Sequence, residues 1–311
     1  MIQRISLLFL LGLCGSLYAQ SSNMTYLFSY FKGNGEDGLH LAYSRDGLKW
    51  SSLNADKSYL QPVVGTSKLM RDPCIVQAPD GIFHMVWTSG WTERGIGYAS
   101  SRDLITWSEQ QYLPVMDYEP TARNCWAPEL FYDKVSKQYL IYWSTTIPGR
   151  FPKGASEGDS GYNHRMYYTT TTDFKNFSPT RLLYDHDFNV IDGTIQKVKG
   201  EYVLFLKDET RNPPQKNLRI ARSKQLTEGY SAASEPITGK YWAEGPTVLK
   251  IKKHWMVYFD KYTEKKYGAV RSSDLKTWED VSEQVSFPAG LRHGTVFAVK
   301  TKWFEEVFKV K

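Results

Sequence analysis

Five stretches of the chain are dense in Tyr, Trp, Phe and branched residues: 24–31, 82–88, 138–144, 201–206 and 254–259. Each is six to eight residues long, which is the length of a buried strand and too short for a core helix. Shorter apolar runs form a second series: 73–77, 127–132, 191–198, 246–251 and 293–299. A third, polar pattern follows the aromatic runs: Ser, a polar residue, Asp, an apolar residue, two polar residues, then an aromatic. It reads Ser44-Arg45-Asp46-Gly47-Leu48-Lys49-Trp50, then Ser101-Arg102-Asp103-Leu104-Ile105-Thr106-Trp107, Thr172-Asp173-Phe174-Lys175-Asn176-Phe177 and Ser272-Ser273-Asp274-Leu275-Lys276-Thr277-Trp278. A degraded copy, Ser223-Lys224-Gln225-Leu226-Thr227-Glu228-Gly229-Tyr230, stands between the last two. A turn whose Asp and Ser side chains bond their own backbone, closed by an aromatic anchor, accounts for these residue types.

The order is therefore short strand, aromatic strand, strand, turn, strand. Asp or its equivalent recurs after 57, 70, 52 and 49 residues. Four strands at that period describe one propeller blade, and five copies predict an all-β, five-bladed β-propeller. The first copy lacks its short strand and the last short strand, near His293, lacks what should follow. The two termini are thus expected to share one blade and close the ring. The Gly- and Ser-rich stretch 145–162 reads as a loop between strands of one blade.

Composition narrows the class. With 41% hydrophobic and 23% charged residues the chain is globular rather than disordered. A formal net charge of +6, scattered along the chain, and the lack of a Gly-rich phosphate motif give no case for nucleic acid or nucleotide. Residues 1–19 read as a secretory signal: Arg4, an apolar core at 5–13 and cleavage after Ala19. This predicts an exported protein (periplasm or extracellular) with one domain over 20–311 and no membrane span. A lipid anchor at Cys14 is the alternative, disfavoured by the bulky Leu13 before it. Cys74 and Cys125 lie in apolar strand-like runs and are expected as buried free thiols.

The starts of the innermost strands face one end of a propeller's channel. They read Arg71-Asp72-Pro73, Trp126-Ala127-Pro128-Glu129, Val190-Ile191-Asp192-Gly193, Ala243-Glu244-Gly245-Pro246 and Leu291-Arg292-His293-Gly294. Three acids, Asp72, Asp192 and Glu244, open otherwise apolar strands, where burial is costly without a function. Two carboxyls flanking a glycosidic bond are what sugar hydrolysis needs, and Trp87, Trp91, Trp126 and Trp242 could stack on sugar faces.

These elements together resemble glycoside hydrolase family 43, over nearly all of the mature chain. The resemblance implies an inverting hydrolase with Asp72 as general base, Glu244 as general acid and Asp192 orienting and tuning that acid. It implies a pocket lined by Trp126 and Glu129, with Trp91, Trp242 and Arg292 also expected on substrate. It places His293 beside a central calcium or water site, so a Ca2+ ion in the channel is expected as an option, with no other cofactor. Gly193 departs from the family's usual Pro after Asp192. The implied substrates are polysaccharides or oligosaccharides bearing α-L-arabinofuranosyl or β-D-xylosyl residues, acted on by a monomer. A galactan-directed hydrolase and a non-catalytic sugar-binding propeller are the alternatives. Retaining fructosidases share Arg-Asp-Pro but need an Asn-Asp-Pro-Asn-Gly nucleophile and a Glu-Cys acid, which are missing. Gly154-Ala155-Ser156-Glu157-Gly158 matches a nucleophile-elbow pattern by chance, in a polar loop.

Overall fold

A computed structural model describes residues 23–154 and 160–310. The expected leader, Cys14 and the centre of the 145–162 loop lie outside the described residues. The chain begins with three strands, β1 (Met24–Tyr30), β2 (His40–Ser44) and β3 (Ser51–Ser52). Two four-stranded units follow: β4 (Arg71–Gln77), β5 (Phe83–Thr88), β6 (Ile96–Ser101) and β7 (Gln111–Leu113), then β8 (Trp126–Asp133), β9 (Gln138–Thr145), β10 (Arg165–Thr171) and β11 (Arg181–Tyr184). Next come β12 (Val190–Val198), β13 (Glu201–Asp208) and β14 (Asn217–Ser223). The last unit is β15 (Glu244–Ile251), β16 (His254–Lys261), β17 (Lys266–Ser272) and β18 (Glu279–Asp280), after which come β19 (Thr295–Lys300) and a helix α1 (Thr301–Phe308).

Each unit is its own antiparallel sheet, and β19 joins β1–β3 in the order β19-β1-β2-β3. The protein is a five-bladed β-propeller closed by its two termini, Ser29 opposite Thr295 and Met24 opposite Lys300. Five buried apolar clusters hold the ring, one between each pair of neighbouring blades. In the closing cluster Phe28, Trp50 and Tyr258 meet edge to face at 5.5–6.4 Å, and the Tyr258 hydroxyl donates to Gly47 O across the seam at 2.6 Å. Edge-to-face rings add stability beyond the area they bury.

Two features depart from the simple repeat. The blade of β12–β14 has three strands among the described residues, and it carries the degraded turn. Gln225 replaces the Asp there, so the turn loses the carboxylate that elsewhere accepts two backbone N–H groups. The following segment runs beside β14 through scattered bonds, Ser231 N to Arg222 O, Ser234 N to Ile220 O and Ile237 N to Leu218 O, instead of a ladder. The terminal helix α1 was not anticipated; its fully buried Phe304 packs with Tyr43 and Phe308 over the first blade seam. Cys74 and Cys125 are buried free thiols, as expected.

Candidate active site

The four internal inner strands begin with the same irregularity. Pairing skips two residues in each: between Arg71 and Cys74, Trp126 and Glu129, Ile191 and Thr194, and Glu244 and Thr247. The first skipped residue has positive φ every time: Asp72 +52°, Ala127 +47°, Asp192 +53° and Gly245 +59°. The second is Pro73, Pro128, Gly193 or Pro246. A proline has no N–H to lose, so it suits an unpaired bulge position. Gly193 is the exception for a local reason: a Cβ there would stand 2.0 Å from Met166 Cε. Holding a non-glycine residue at positive φ costs about 1–3 kcal/mol, a strain that collects at functional sites.

The bulge assigns the three acids to two positions. Asp72 and Asp192 are equivalent to each other and occupy the positive-φ corner. Glu244 stands one residue earlier, equivalent to Arg71 and Trp126. All of these residues nevertheless line one cavity of about 210 Å³ at the channel mouth, together with Thr88, Trp91, Lys207, Glu209, Arg292 and His293.

Each carboxylate has a different setting. Thr88 Oγ1 donates to Asp72 Oδ2 at 2.8 Å, and His293 Nδ1 lies 3.3 Å from Asp72 Oδ1. Burial pushes the Asp72 carboxyl up, but the hydrogen bond and charge of His293, with Arg71 and Thr88, hold it below its ordinary value. Gly245 N donates to Asp192 Oδ2 at 2.9 Å. Burial lifts Asp192 to about 6, against the pull of His293 and Lys207. Glu244 Oε2 accepts from Lys207 Nζ at 3.0 Å, and its Oε1 from Arg292 Nη2 at 3.3 Å. Burial opposes ionisation of Glu244, but Lys207 first and Arg292 next bring it below its ordinary value. Of the two, Asp192 is thus the harder to ionise and Glu244 the easier. Lys207 is itself buried and also contacts Glu209 Oε2 at 2.6 Å, while Glu209 bonds Lys216.

Trp91 and Trp126 form the expected aromatic wall. Their rings meet edge to face at 5.6 Å, and Trp126 Nε1 donates to Trp91 O at 2.9 Å. Trp91 is 45% exposed, and the Arg71 guanidinium covers one of its faces at 4.1 Å. Arg292 lines the pocket as expected, bridging Glu244 and Asp260; its Nε donates to Asp260 Oδ2 at 2.6 Å.

Three expectations need correction, the first being Trp87, which is fully buried in the core between the terminal blade and the β4–β7 blade and cannot stack on a sugar. Glu129 does not line the pocket. It lies beyond the bulge, deeper in the channel, where Thr194 and Thr295 hydroxyls donate to its two oxygens at 2.9 and 3.1 Å. It faces the far cavity of about 770 Å³, and burial lifts it to about 7. Trp242 is also outside the pocket lining. It packs on Tyr262 at 6.0 Å, with Arg211 at 5.2 Å and Lys216 at 5.8 Å from its ring. His293 lines the pocket beside Asp72. Burial draws its imidazole down, but the Asp72 hydrogen bond and the charges of Asp192, Asp72 and Glu129 outweigh it and raise the pKa to about 9. Among the described residues no group of three His, Cys, Asp or Glu side chains is arranged to hold a metal. His293 is a positive charge seated among carboxylates.

Sequence reasoning missed Lys207 and Glu209. The available signal was the end of an aromatic strand turning abruptly charged, Leu206-Lys207-Asp208-Glu209. It missed Arg71 and Thr88 because their partners come from other strands.

Three carboxyls in such different settings on one small aromatic-walled cavity can divide between them the tasks of taking a proton from water and giving one to a leaving oxygen. A five-bladed propeller with such a mouth belongs to the class of sugar-cleaving enzymes, and the comparisons agree. Residues 22–305 match the model of a probable glycosyl hydrolase domain related to family 43, and the chain belongs to that family. A curated α-L-arabinofuranosidase of Bifidobacterium longum subsp. longum is 26% identical over 226 residues, covering 59% of this chain and 21% of that one. The chain thus spans about a fifth of that relative's length. Among solved structures, an α-L-arabinofuranosidase from Lactobacillus brevis superposes with a TM-score of 0.54 at 18% identity, covering 68% of this chain and 72% of the other. A family-62 α-L-arabinofuranosidase of Coprinopsis cinerea gives 0.53 at 14% identity, covering 74% and 77%. At these identities the structural matches speak to the fold. Among the described residues no helix is long and apolar enough to cross a membrane.

Proposed function

We propose that the protein is an inverting exo-glycosidase that removes terminal pentosyl residues, α-L-arabinofuranosyl before β-D-xylosyl, from polysaccharide or oligosaccharide. The observation that carries this is three carboxyls on one aromatic-walled cavity, each with different partners: Asp72 with Thr88 and His293, Asp192 with the Gly245 amide, and Glu244 with Lys207 and Arg292. The arabinofuranosidases among the relatives support the choice of sugar. The small cavity supports removal of one ring at a time. The secretory signal read in residues 1–19 supports action outside the cytoplasm.

Asp72 accepts a proton from the water that attacks the anomeric carbon; His293 keeps it ionised. Glu244 protonates the departing oxygen. Seating a sugar over Arg292 strips water from Glu244, and desolvation raises a carboxyl's pKa, which favours the protonated acid. Water then attacks opposite the leaving group, so the anomeric configuration inverts in one step.

The test is hydrolysis of an aryl α-L-arabinofuranoside and an aryl β-D-xyloside, with the first-formed anomer read by proton NMR. Faster release from the arabinoside with inverted product is expected. Retained configuration would remove the single-step mechanism. No turnover of either sugar would remove the pentose assignment.

A further inference from the structure

The internal inner strands start at the pocket and run away from it, so the hairpin that ends each one lies on the opposite face of the propeller. Three successive hairpins there are crowded with lysine. Lys134 and Lys137 stand at the turn between β8 and β9, Lys197 and Lys199 at the turn between β12 and β13, and Lys250, Lys252 and Lys253 at the turn between β15 and β16. All seven are exposed. The same turns hold two acids, Asp133 and Glu201, which leaves five positive charges of the formal net +6 of the whole chain. The three inner strands are neighbours around the ring, so lysines scattered along the sequence form one cationic arc.

We propose that this far face is a second binding surface, separate from the pocket, and that it holds a polysaccharide bearing carboxylates. Three observations support it. The charge is free to act: among the described residues Lys134, Lys137, Lys199, Lys252 and Lys253 form no ion pair, while Glu201 is held by Lys224 at 3.0 Å and Asp133 by the Ser136 hydroxyl at 2.8 Å. Turn geometry does not ask for lysine: Lys137, Lys199 and Lys252 sit at φ of +55°, +49° and +53°, where glycine or asparagine fits with less strain. The arc also borders the far cavity of about 770 Å³, whose lining includes Lys134 and Lys137. That volume is in the range of ordinary ligand sites.

The surroundings select the kind of polyanion. Phe131 and Tyr132 offer partly buried rings in the cavity lining, with the Gln77 and Gln196 amides beside them. Ring faces with hydrogen-bonding groups next to cations suit a sugar acid, its ring on the aromatic and its carboxylate on the lysine. All seven cations are lysines, and none is arginine, whose planar fork is the better match to phosphate and nucleic acid. Val135 is the one exposed large apolar side chain on the three turns, where a lipid surface would need an apolar row. A chain gripped on this face leaves the pocket free.

The experiment measures binding of the whole protein to polygalacturonate, with neutral xylan and phosphatidylglycerol vesicles as references, by calorimetry at low and at raised salt. No hydrolysis enters the readout, so the outcome is independent of the glycosidase reading. Polygalacturonate is expected to bind more tightly than either reference and to loosen as salt screens the charges. Lys134→Glu with Lys253→Glu should weaken it by roughly tenfold or more, and Lys134→Gln with Lys253→Gln by less. Lys57→Glu with Lys240→Glu makes the same change in net charge at exposed positions outside the arc and should weaken it less than twofold. Equal losses in the two Glu pairs would mean that net charge alone attracts the polymer, and would overturn the assignment. So would wild-type protein that leaves polygalacturonate unbound at low salt, or that binds the vesicles more tightly.

Discussion

Carboxylates recur at both ends of the blades, and the two sets do opposite things. At the far end, after β2, β6, β10 and β17, Asp46, Asp103, Asp173 and Asp274 each use Oδ1 to accept two backbone N–H groups two and three residues on, at 2.7–2.9 Å. A Ser or Thr hydroxyl two residues earlier completes each turn. Every partner is local. At the channel mouth Asp72, Asp192 and Glu244 find their partners across the molecule: Thr88 and His293, Gly245, then Lys207 and Arg292. The same side-chain chemistry closes a turn where its neighbours are sequential, and becomes a titrating site where five strands bring distant charges together.

The contrast is sharpest in the catalytic variants. Glu244→Gln and Asp72→Asn are expected to lower kcat on substrates with poor leaving groups by about 10²–10⁴-fold, the usual worth of a positioned acid or base, while circular dichroism and melting temperature hold. Asp103→Ala should do the reverse, keeping kcat per folded molecule. Full activity in Glu244→Gln would break the division.

Next in size is the pH profile. The acid must be protonated, so kcat/KM should fall as pH rises past about 6, where the Asp192–Glu244 pair loses its proton. It should also fall in strong acid, where Asp72, held below its ordinary value, is finally protonated. Lys207→Met removes the charge that keeps Glu244 ionised, so the alkaline limb should move up by about 1–3 pH units. An unmoved limb would separate Lys207 from the titrating pair.

A smaller effect tests the bulge. Gly193→Ala puts a Cβ against Met166, and overpacking of this kind costs about 1–3 kcal/mol. Chemical denaturation should show the loss, and Met166→Ala in the same chain should recover part of it.

The smallest effect belongs to the turns. Asp103→Ala leaves two N–H groups to water and should lower the melting temperature by about 1–3 °C. Burial raises the Asp46 and Asp103 carboxyls and is the largest single effect, but the two backbone N–H groups and the Ser hydroxyl of each turn together outweigh it and hold them below their ordinary value. Their stabilisation is therefore complete above that ordinary value and is lost as pH falls through the lowered one. The acid-side loss of stability should shrink in Asp103→Ala.

The blades, their number, the shared terminal blade and the turn aspartates were all legible in the residues, because each rests on short-range pattern: strand-length apolar runs, Asp at a fixed offset, and a period near fifty. The three acids at strand starts were legible for the same reason. What the sequence could not carry was depth and company. Glu129 was expected in the pocket from the family resemblance and Trp242 as an aromatic near a strand start, yet the two-residue bulge sends Glu129 down the channel and Trp242 packs on Tyr262. Lys207, Arg71 and the His293 imidazolium acquire their roles only from residues tens to hundreds of positions away. Local hydrogen bonding and hydrophobic period act between neighbours in the chain, so sequence alone determined the propeller. Charge and burial act through space, so only the closed ring decided which carboxyls gather on one cavity and which of them burial raises and neighbouring charge holds down.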